Sequence, residues 1–409
     1  MKILFYNHTG QVSGAERMML MILSRLDRDA VQPVVACPPQ GELTNELSQL
    51  GISPESIALL EARFTWRVDR LFRYLKSLVA VTLHLREMAK RAYPDIVHAN
   101  SIRAGLVATI ATWRLPMPVI WHLHDELPTH PLSSVIRLLA LMSSRARFLA
   151  VSHAVAKNFR GAVKPLEKRI RVILNAIDES CFQPDSHTRT LKRVELGVEN
   201  SECVVGIVGQ ITPRKGQLEL LRAFANVLKE LPKAVLLIVG APLFNRDQDY
   251  AEQLVEAARR LGIDGRVRML GARSDVSSLM QAFDLLIVNS SVEPFGLVAV
   301  EAMACGTPVI ATRTGGLAEI IEHERTAWLI PPRDERALAT AIITLTNRPL
   351  LRARLASQAK KSLTPRFSCS RYLRDLNDFY RSLISNPVDV GSVEPASRPK
   401  EEQRLASAR

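Results

Sequence analysis

Two α/β domains, each built on a doubly wound parallel sheet, are the architecture this sequence predicts. Short apolar runs such as Lys2–Asn7, Val235–Gly240 and 284–289 have the length and composition of strands buried on both faces. Each is followed by a turn and then by a longer run with helical spacing, as Met18–Leu26 and Gln217–Glu230 show. Strands alternating with helices give parallel sheets. With 409 residues the chain is too long for one small core and suits two domains of ordinary size.

Composition is that of a globular protein, with 47% hydrophobic and 23% charged residues. The start, Met1–His8, has an apolar run too short for a secretory signal, and no run approaches the ~18 residues that span a bilayer. Five scattered cysteines, odd in number and without metal spacing, read as reduced thiols in a cytoplasmic protein. Net charge is +13, and residues 1–190 hold 24 Lys/Arg against 16 Asp/Glu. Nucleic acid, an anionic membrane surface and an anionic substrate all suit such a balance. Nucleic acid is set aside, because no zinc-finger spacing, RNA-recognition aromatics or long basic arm is present.

In the first half, the strand Lys2–Asn7 leads through a loop containing Gly10 and Gly14 into the helix Met18–Leu26. The loop is not G-x-G-x-x-G and no acidic residue ends the next strand, Pro33–Cys37, which excludes a nicotinamide fingerprint. Strand ends at 95–99 and 118–125 carry His98, His122 and His124, and a histidine at such a place is more often structural than functional. Phe148–Ser152 and Val172–Asp178 are the last strands of a domain spanning 1–180. Residues 181–201, polar and irregular around Pro184, are the expected interdomain linker.

The second domain, 202–365, opens with the strand Cys203–Gly209 and a loop carrying Arg214 and Lys215. Between a strand end and a helix start, Arg as a fork and Lys as a point charge can hold a diphosphate. A solvated basic loop is the plain alternative. Further strands are Arg266–Leu270 and the run before Asn289, with the helix Tyr250–Leu261 among them. Glu293 then stands in a loop at a strand end, where open parallel sheets bind ligands. Glu301 follows inside the next helix. A carboxylate accepts two hydrogen bonds side by side, which suits a ribose or sugar diol. The helix start at Phe295, Gly296 and Leu297 points N–H groups and a positive dipole end into the same space, which suits phosphate. Thr314, Gly315 and Gly316 form a second flexible loop before a helix, placed to cradle phosphate beside the first. A site reading a diol and a phosphate together suggests a nucleotide sugar. Residues 366–385 are a final helical stretch, and 386–409 read as a disordered tail.

From Glu293 to Gly316 the chain resembles the donor-binding signature of the retaining glycosyltransferases of family 4. That pattern is E-P-F-G-L-x-x-x-E-A-M-A-x-G-x-P-V followed by T-G-G, met here almost without a break. The resemblance implies the GT-B fold: two Rossmann-like domains facing an interdomain cleft, acceptor side first and donor side second. It also implies that helix 366–385 returns to the first domain. Glu301 would hold the donor ribose, and Glu293 the donor-sugar hydroxyls. Arg214 and Lys215, with the helix N-termini and the Thr314–Gly316 loop, would stabilise charge on the leaving diphosphate. His124, in His124-Asp125, would lie against the transferred sugar. Gly14 would touch donor phosphate or acceptor, and Arg273, after Ala272, would meet the base through backbone groups. Two departures stand out: Gln210 where many members have Arg, and Ala176 where glycine is usual. Asp247-Gln248-Asp249 matches the D-x-D of metal-dependent enzymes, but that motif belongs to a different, single-domain fold. No metal and no cofactor beyond the nucleoside diphosphate sugar is expected.

The implied function is sugar transfer with retention to a glycan or lipid-linked acceptor, by front-face attack with the departing phosphate as base. An epimerase on the same scaffold would turn over donor without acceptor. A non-catalytic assembly protein would bind donor without turnover, a reading that Gln210 favours and intact Glu293, Glu301, Arg214 and Lys215 oppose. A peripheral site on the inner membrane face is expected through Arg63–Arg91. Drawn as a helix, one side of this stretch holds Phe64, Val68, Leu71, Phe72, Leu75, Leu78 and Val79. The other holds Arg63, Arg67, Arg70 and Arg73 with Trp66 and Tyr74, a pairing suited to anionic headgroups.

Overall fold

The computed structural model describes residues 1–60, 68–243 and 247–385, without the side chains of 68–73. Two all-parallel sheets form the frame. The first contains β1 (Lys2–Tyr6), β2 (Gln32–Cys37), β3 (Glu55–Ser56), β4 (Ile96–Ala99), β5 (Val119–Leu123), β6 (Ala146–Ala150) and β7 (Ile170–Val172). Their order is β3-β2-β1-β4-β5-β6-β7. The second contains β8 (Val204–Val208), β9 (Val235–Val239), β10 (Val267–Gly271), β11 (Leu285–Val288), β12 (Val309–Thr312) and β13 (Trp328–Ile330), ordered β10-β9-β8-β11-β12-β13. The apolar runs bury both faces because helices cover both sides. Val97, Ala99, Trp121 and Phe148 point into one core with the helices Val68–Ala92, Ile102–Ala111 and Pro131–Met142. Ile3, Phe5, Ile96 and Ile120 point into another, with the helix Gly14–Arg25.

The last helix, Cys369–Ser385, belongs to that second core. Its Tyr372, Leu376 and Tyr380 are fully buried among Phe5, Ile22 and Ile120 of the first domain. The chain therefore crosses back, as the resemblance implies. The tail 386–409 lies outside the described residues.

Several expectations need correction. The first helix begins at Gly14, four residues before Met18, because Ser13 and Glu16 make a capping box there. The stretch expected to be an irregular linker contains the helix Ser186–Glu195. Its polarity hides an anchor to the second domain: Arg189 and Arg193 ion-pair with Asp284 at 2.7 and 3.2 Å. Asp247 is the N-cap residue of the helix Gln248–Arg260. In the stretch 63–91, Arg63, Phe64, Trp66 and Arg67 lie outside the described residues. Further along, Tyr74 packs with Leu78 against the core, in line with buried Val81, Leu85 and Met88. Leu75 and Val79, expected inside, are 48% and 58% exposed. The helix has two apolar stripes, and the sheet takes the one containing Tyr74.

Candidate active site

The C-terminal ends of both sheets face a cleft of about 1740 Å3. The second domain supplies its wall through two loops that neighbouring strands bring together. After β8, residues Pro213–Lys215 form one turn of 3-10 helix, and after β11 the chain turns at Ser290–Gly296. The Ser291 amide donates to the Arg214 carbonyl at 2.9 Å, and the Arg214 guanidinium donates to the Val292 carbonyl at 3.0 Å. Lys215 Nζ donates to Glu293 Oε2 at 2.7 Å, and Ser290 Oγ donates to the same oxygen at 2.7 Å. Burial alone would raise the Glu293 pKa. Lys215, Arg214 and these bonds outweigh it and hold the carboxyl below its usual range.

Glu301 lines the same cleft from the helix Leu297–Ala304. Burial pushes its pKa up to about 7, with the positive charge of Arg17 pulling the other way. Arg17 stands across the cleft in the first turn of helix Gly14–Arg25, beside Gly14. A Cβ on Gly14 would come within 3.8 Å of Leu297, so the glycine loop of one domain meets the helix start of the other. Sequence reading passed over Arg17. A cation in the first turn of a helix opposes the dipole, and that local misfit was its signal.

His124 stands at the end of β5 and lines the cleft. Its Nε2 donates to Asn100 Oδ1 at 3.1 Å, and its ring lies against that of His122, centroids 3.8 Å apart and planes tilted by 41°. His98 bonds His122 at 3.1 Å and Tyr380 Oη of the last helix at 2.7 Å. Burial, with the neighbouring His98, pushes the His124 pKa down to about 3, so the imidazole is neutral. His98 and His122 are interior supports, as expected.

The Thr314–Gly316 loop does not line the cleft as expected. It lies beneath the Glu293 loop and shapes it. The Gly316 amide donates to the Glu293 carbonyl at 2.9 Å, and Thr314 Oγ1 donates to the Ser290 carbonyl at 3.3 Å. A Cβ on Gly315, which has φ +46°, would fall 2.2 Å from the Glu293 carbonyl oxygen, and one on Gly316 would fall 2.5 Å from that of Pro294. Close backbone approach is what both glycines serve. Phe295 is buried against Phe367, while Gly296 and Leu297 line the cleft at the helix start. Arg273 also lines it, with its guanidinium tied to Asp275 at 2.7 Å and Glu195 at 3.0 Å. Gln210 lines the cleft too, its carbonyl accepting from Gln217.

Contacts between domains converge on these loops. Ser152 Oγ donates to the Pro294 carbonyl at 2.6 Å. The Glu319 carboxylate accepts the His153 and Ala154 amides at 2.9 and 2.5 Å, closing the N-terminus of helix His153–Arg160. Neither Ser152 nor Glu319 was singled out from the sequence. Among the described residues no group of three or more His, Cys, Asp or Glu is placed to hold a metal ion.

Family models match both halves: "Glycosyltransferase Family 4" over residues 12–180 and "Glycosyl transferases group 1" over 188–362. The D-inositol 3-phosphate glycosyltransferase of Corynebacterium kroppenstedtii is 37% identical, over 75% of this chain and 72% of its own. The chain is a family 4 glycosyltransferase. The N-acetyl-alpha-D-glucosaminyl L-malate synthase of Bacillus anthracis is 28% identical to this glycosyltransferase, over 77% of the chain and 81% of the relative. Among solved structures, Anabaena Alr3699/HepE in complex with UDP-glucose superposes with a TM-score of 0.82 at 30% identity. That likeness covers 94% of the glycosyltransferase and all of HepE. Sucrose-phosphate synthase from Thermosynechococcus elongatus, 21% identical with a TM-score of 0.77, shares the GT-B fold.

Proposed function

We propose that the enzyme transfers a sugar from a uridine diphosphate donor to a glycan or lipid-linked acceptor, with retention of anomeric configuration and without a metal ion. It would work in the cytoplasm at the inner membrane surface. The observation that carries this reading is the buried Lys215–Glu293 pair, set in one cleft with Glu301 and His124. Likeness to a protein solved with UDP-glucose supports the uridine nucleotide.

In this reading Glu301, once ionised, accepts the ribose hydroxyls, and Glu293 accepts those of the donor sugar. The amides at Gly296 and Leu297 face the diphosphate with a helix dipole behind them. Arg214 and Lys215 stabilise the charge that grows as the anomeric C–O bond breaks and its electron pair passes to the diphosphate oxygen. Arg17 adds a cation from the first domain, on the wall opposite Gln210. Neutral His124 offers an uncharged face to the sugar. Glu293 is engaged by Lys215 and Ser290, which favours attack by the acceptor hydroxyl on the face that the diphosphate leaves. The acceptor proton passes to the departing phosphate oxygen.

Thermal-shift screening against uridine, guanosine and adenosine diphosphates tests the donor. At ~100 times its dissociation constant the true ligand adds ~2.7 kcal/mol. Nuclear magnetic resonance of the product's anomeric proton tests retention. An inverted product, or donor turnover without acceptor, would overturn the reading.

A further inference from the structure

One hydroxyl of the first domain reaches the loop that carries Glu293. Ser152 follows β6 and caps the helix His153–Arg160, its oxygen accepting the Val155 amide at 3.1 Å. A hydroxyl has a single proton, and Ser152 gives its own to the Pro294 carbonyl of the second domain, at 2.6 Å. The bond is buried, with Ser152 fully enclosed, so solvent does not compete for it.

The next two residues complete the joint. The His153 and Ala154 amides are held by the carboxylate of Glu319, which belongs to the helix Leu317–Ile320 of the second domain. Arg366 holds the Glu319 carbonyl in turn, at 2.7 Å. Glu319 and Pro294 are parts of one unit, because Gly316, just before that helix, donates its amide to the Glu293 carbonyl. Three consecutive residues of one domain thus grip the Glu293 loop of the other and the segment beneath it.

The place of this joint decides what it can do. β5 and β6 are neighbours, with Leu123 opposite Ala150, and His124 and Ser152 leave them one and two residues later. The distance from His124 to Pro294 is therefore carried by one sheet and one hydrogen bond. The two chain passages between the domains also meet here. The Ile177 amide donates to the Phe367 carbonyl at 3.1 Å, and the Phe367 ring packs edge-on against Phe295. A joint beside the passages moves least when two domains shift, so it keeps Glu293 in register with the first domain.

We infer that Ser152 and Glu319 are positioning residues for the transfer step. They hold the Glu293 backbone at a set place relative to His124, so that both meet the same sugar. The proposal rests on the reading above, in which Glu293 and His124 both contact the donor sugar. Glu301 and the two cations, Arg214 and Lys215, are carried by other segments of the second domain. Nucleotide binding therefore depends on the joint far less than transfer does.

Ser152→Ala removes the donor, together with a helix cap. Glu319→Ala, at a half-buried side chain, is the second variant and leaves that cap in place. Each should lower kcat about 10–100-fold, the loss that a displacement of up to ~1 Å at a reacting group brings. The uridine diphosphate dissociation constant should change less than about threefold by titration calorimetry, twice the scatter of such a measurement being about that size. Glu319→Gln, which keeps one acceptor oxygen, should recover part of the lost kcat. Hydrogen–deuterium exchange without nucleotide should quicken over 291–297 in both alanine variants and stay unchanged over β8. A joint that only stabilises the fold would lower Tm and leave kcat intact, and that result overturns the proposal. So does uridine diphosphate affinity falling in step with kcat, or exchange over 291–297 that neither substitution alters. If the unsubstituted chain binds no uridine diphosphate, the donor reading fails, and the exchange comparison still decides the joint.

Discussion

Replacing Lys215 with alanine separates its two jobs. In the resting enzyme its ammonium neutralises Glu293 at 2.7 Å, with the two side chains 16% and 9% exposed. Removing one member of a buried pair costs about 3–5 kcal/mol, because the other charge is left behind. Lys215 faces the cleft, so the lower end, about 3 kcal/mol, applies. For a domain of about 150–250 residues that lowers Tm by roughly 6–12 °C. The pH dependence identifies the cause. With Lys215 present, the depressed Glu293 pKa contributes stability above the unfolded carboxyl value, and this is lost as pH falls through the folded value. Without Lys215, burial dominates and raises that pKa, so Glu293 resists ionisation and destabilises as pH rises. The Tm gap between enzyme and variant should therefore be widest at neutral pH and close toward pH 4, read by calorimetry. In turnover the same substitution removes one cation from the leaving diphosphate, and kcat should fall by about 10²–10³. A Tm gap independent of pH would refute the pairing argument. A raised KM with kcat intact would make Lys215 a uniform binder.

Other outcomes follow from the same geometry. Because the Glu301 pKa is raised to about 7, donor affinity should rise with pH through that value as the carboxylate forms. Glu301→Gln should flatten this profile and weaken donor binding at least about tenfold above it, by titration calorimetry, since charge-assisted bonds are worth ~1.5–3 kcal/mol. Gly315→Ala places a Cβ 2.2 Å from the Glu293 carbonyl, so the Glu293 loop must move. Transfer should fall by more than about tenfold, measured as kcat/KM, although Gly315 does not itself line the cleft. Transfer measured after exhaustive dialysis against a chelator should match the untreated enzyme, and a loss restored by divalent cations would overturn the metal-free reading.

Periodicity and short patterns revealed much of this protein. Short apolar runs without alternation suit strands covered on both faces, and their regular alternation with longer helical runs pointed to parallel sheets. The Glu293–Glu301 block was legible because strand, loop and helix are contiguous there, and a local segment sets its own geometry. Contacts between distant segments were not legible in that way. Lys215 meets Glu293 because β8 and β11 are neighbours in the sheet, and strand order is set by the packing of the whole domain. Ser186–Glu195 was hidden by its polarity, since its anchor, Asp284, is far along the chain. The glycines at 315 and 316 were recognised but given the wrong neighbour: space for phosphate was expected, and the Glu293 backbone fills it. Helix Val68–Ala92 shows the limit most plainly. Its sequence carries two apolar stripes, and a helical period marks both without ranking them. Only the sheet beneath decided, burying Val81, Leu85 and Met88 beside Tyr74 and leaving Leu75, Val79 and Leu83 on the surface. A period belongs to one segment, whereas burial belongs to a segment and whatever the chain's topology lays against it.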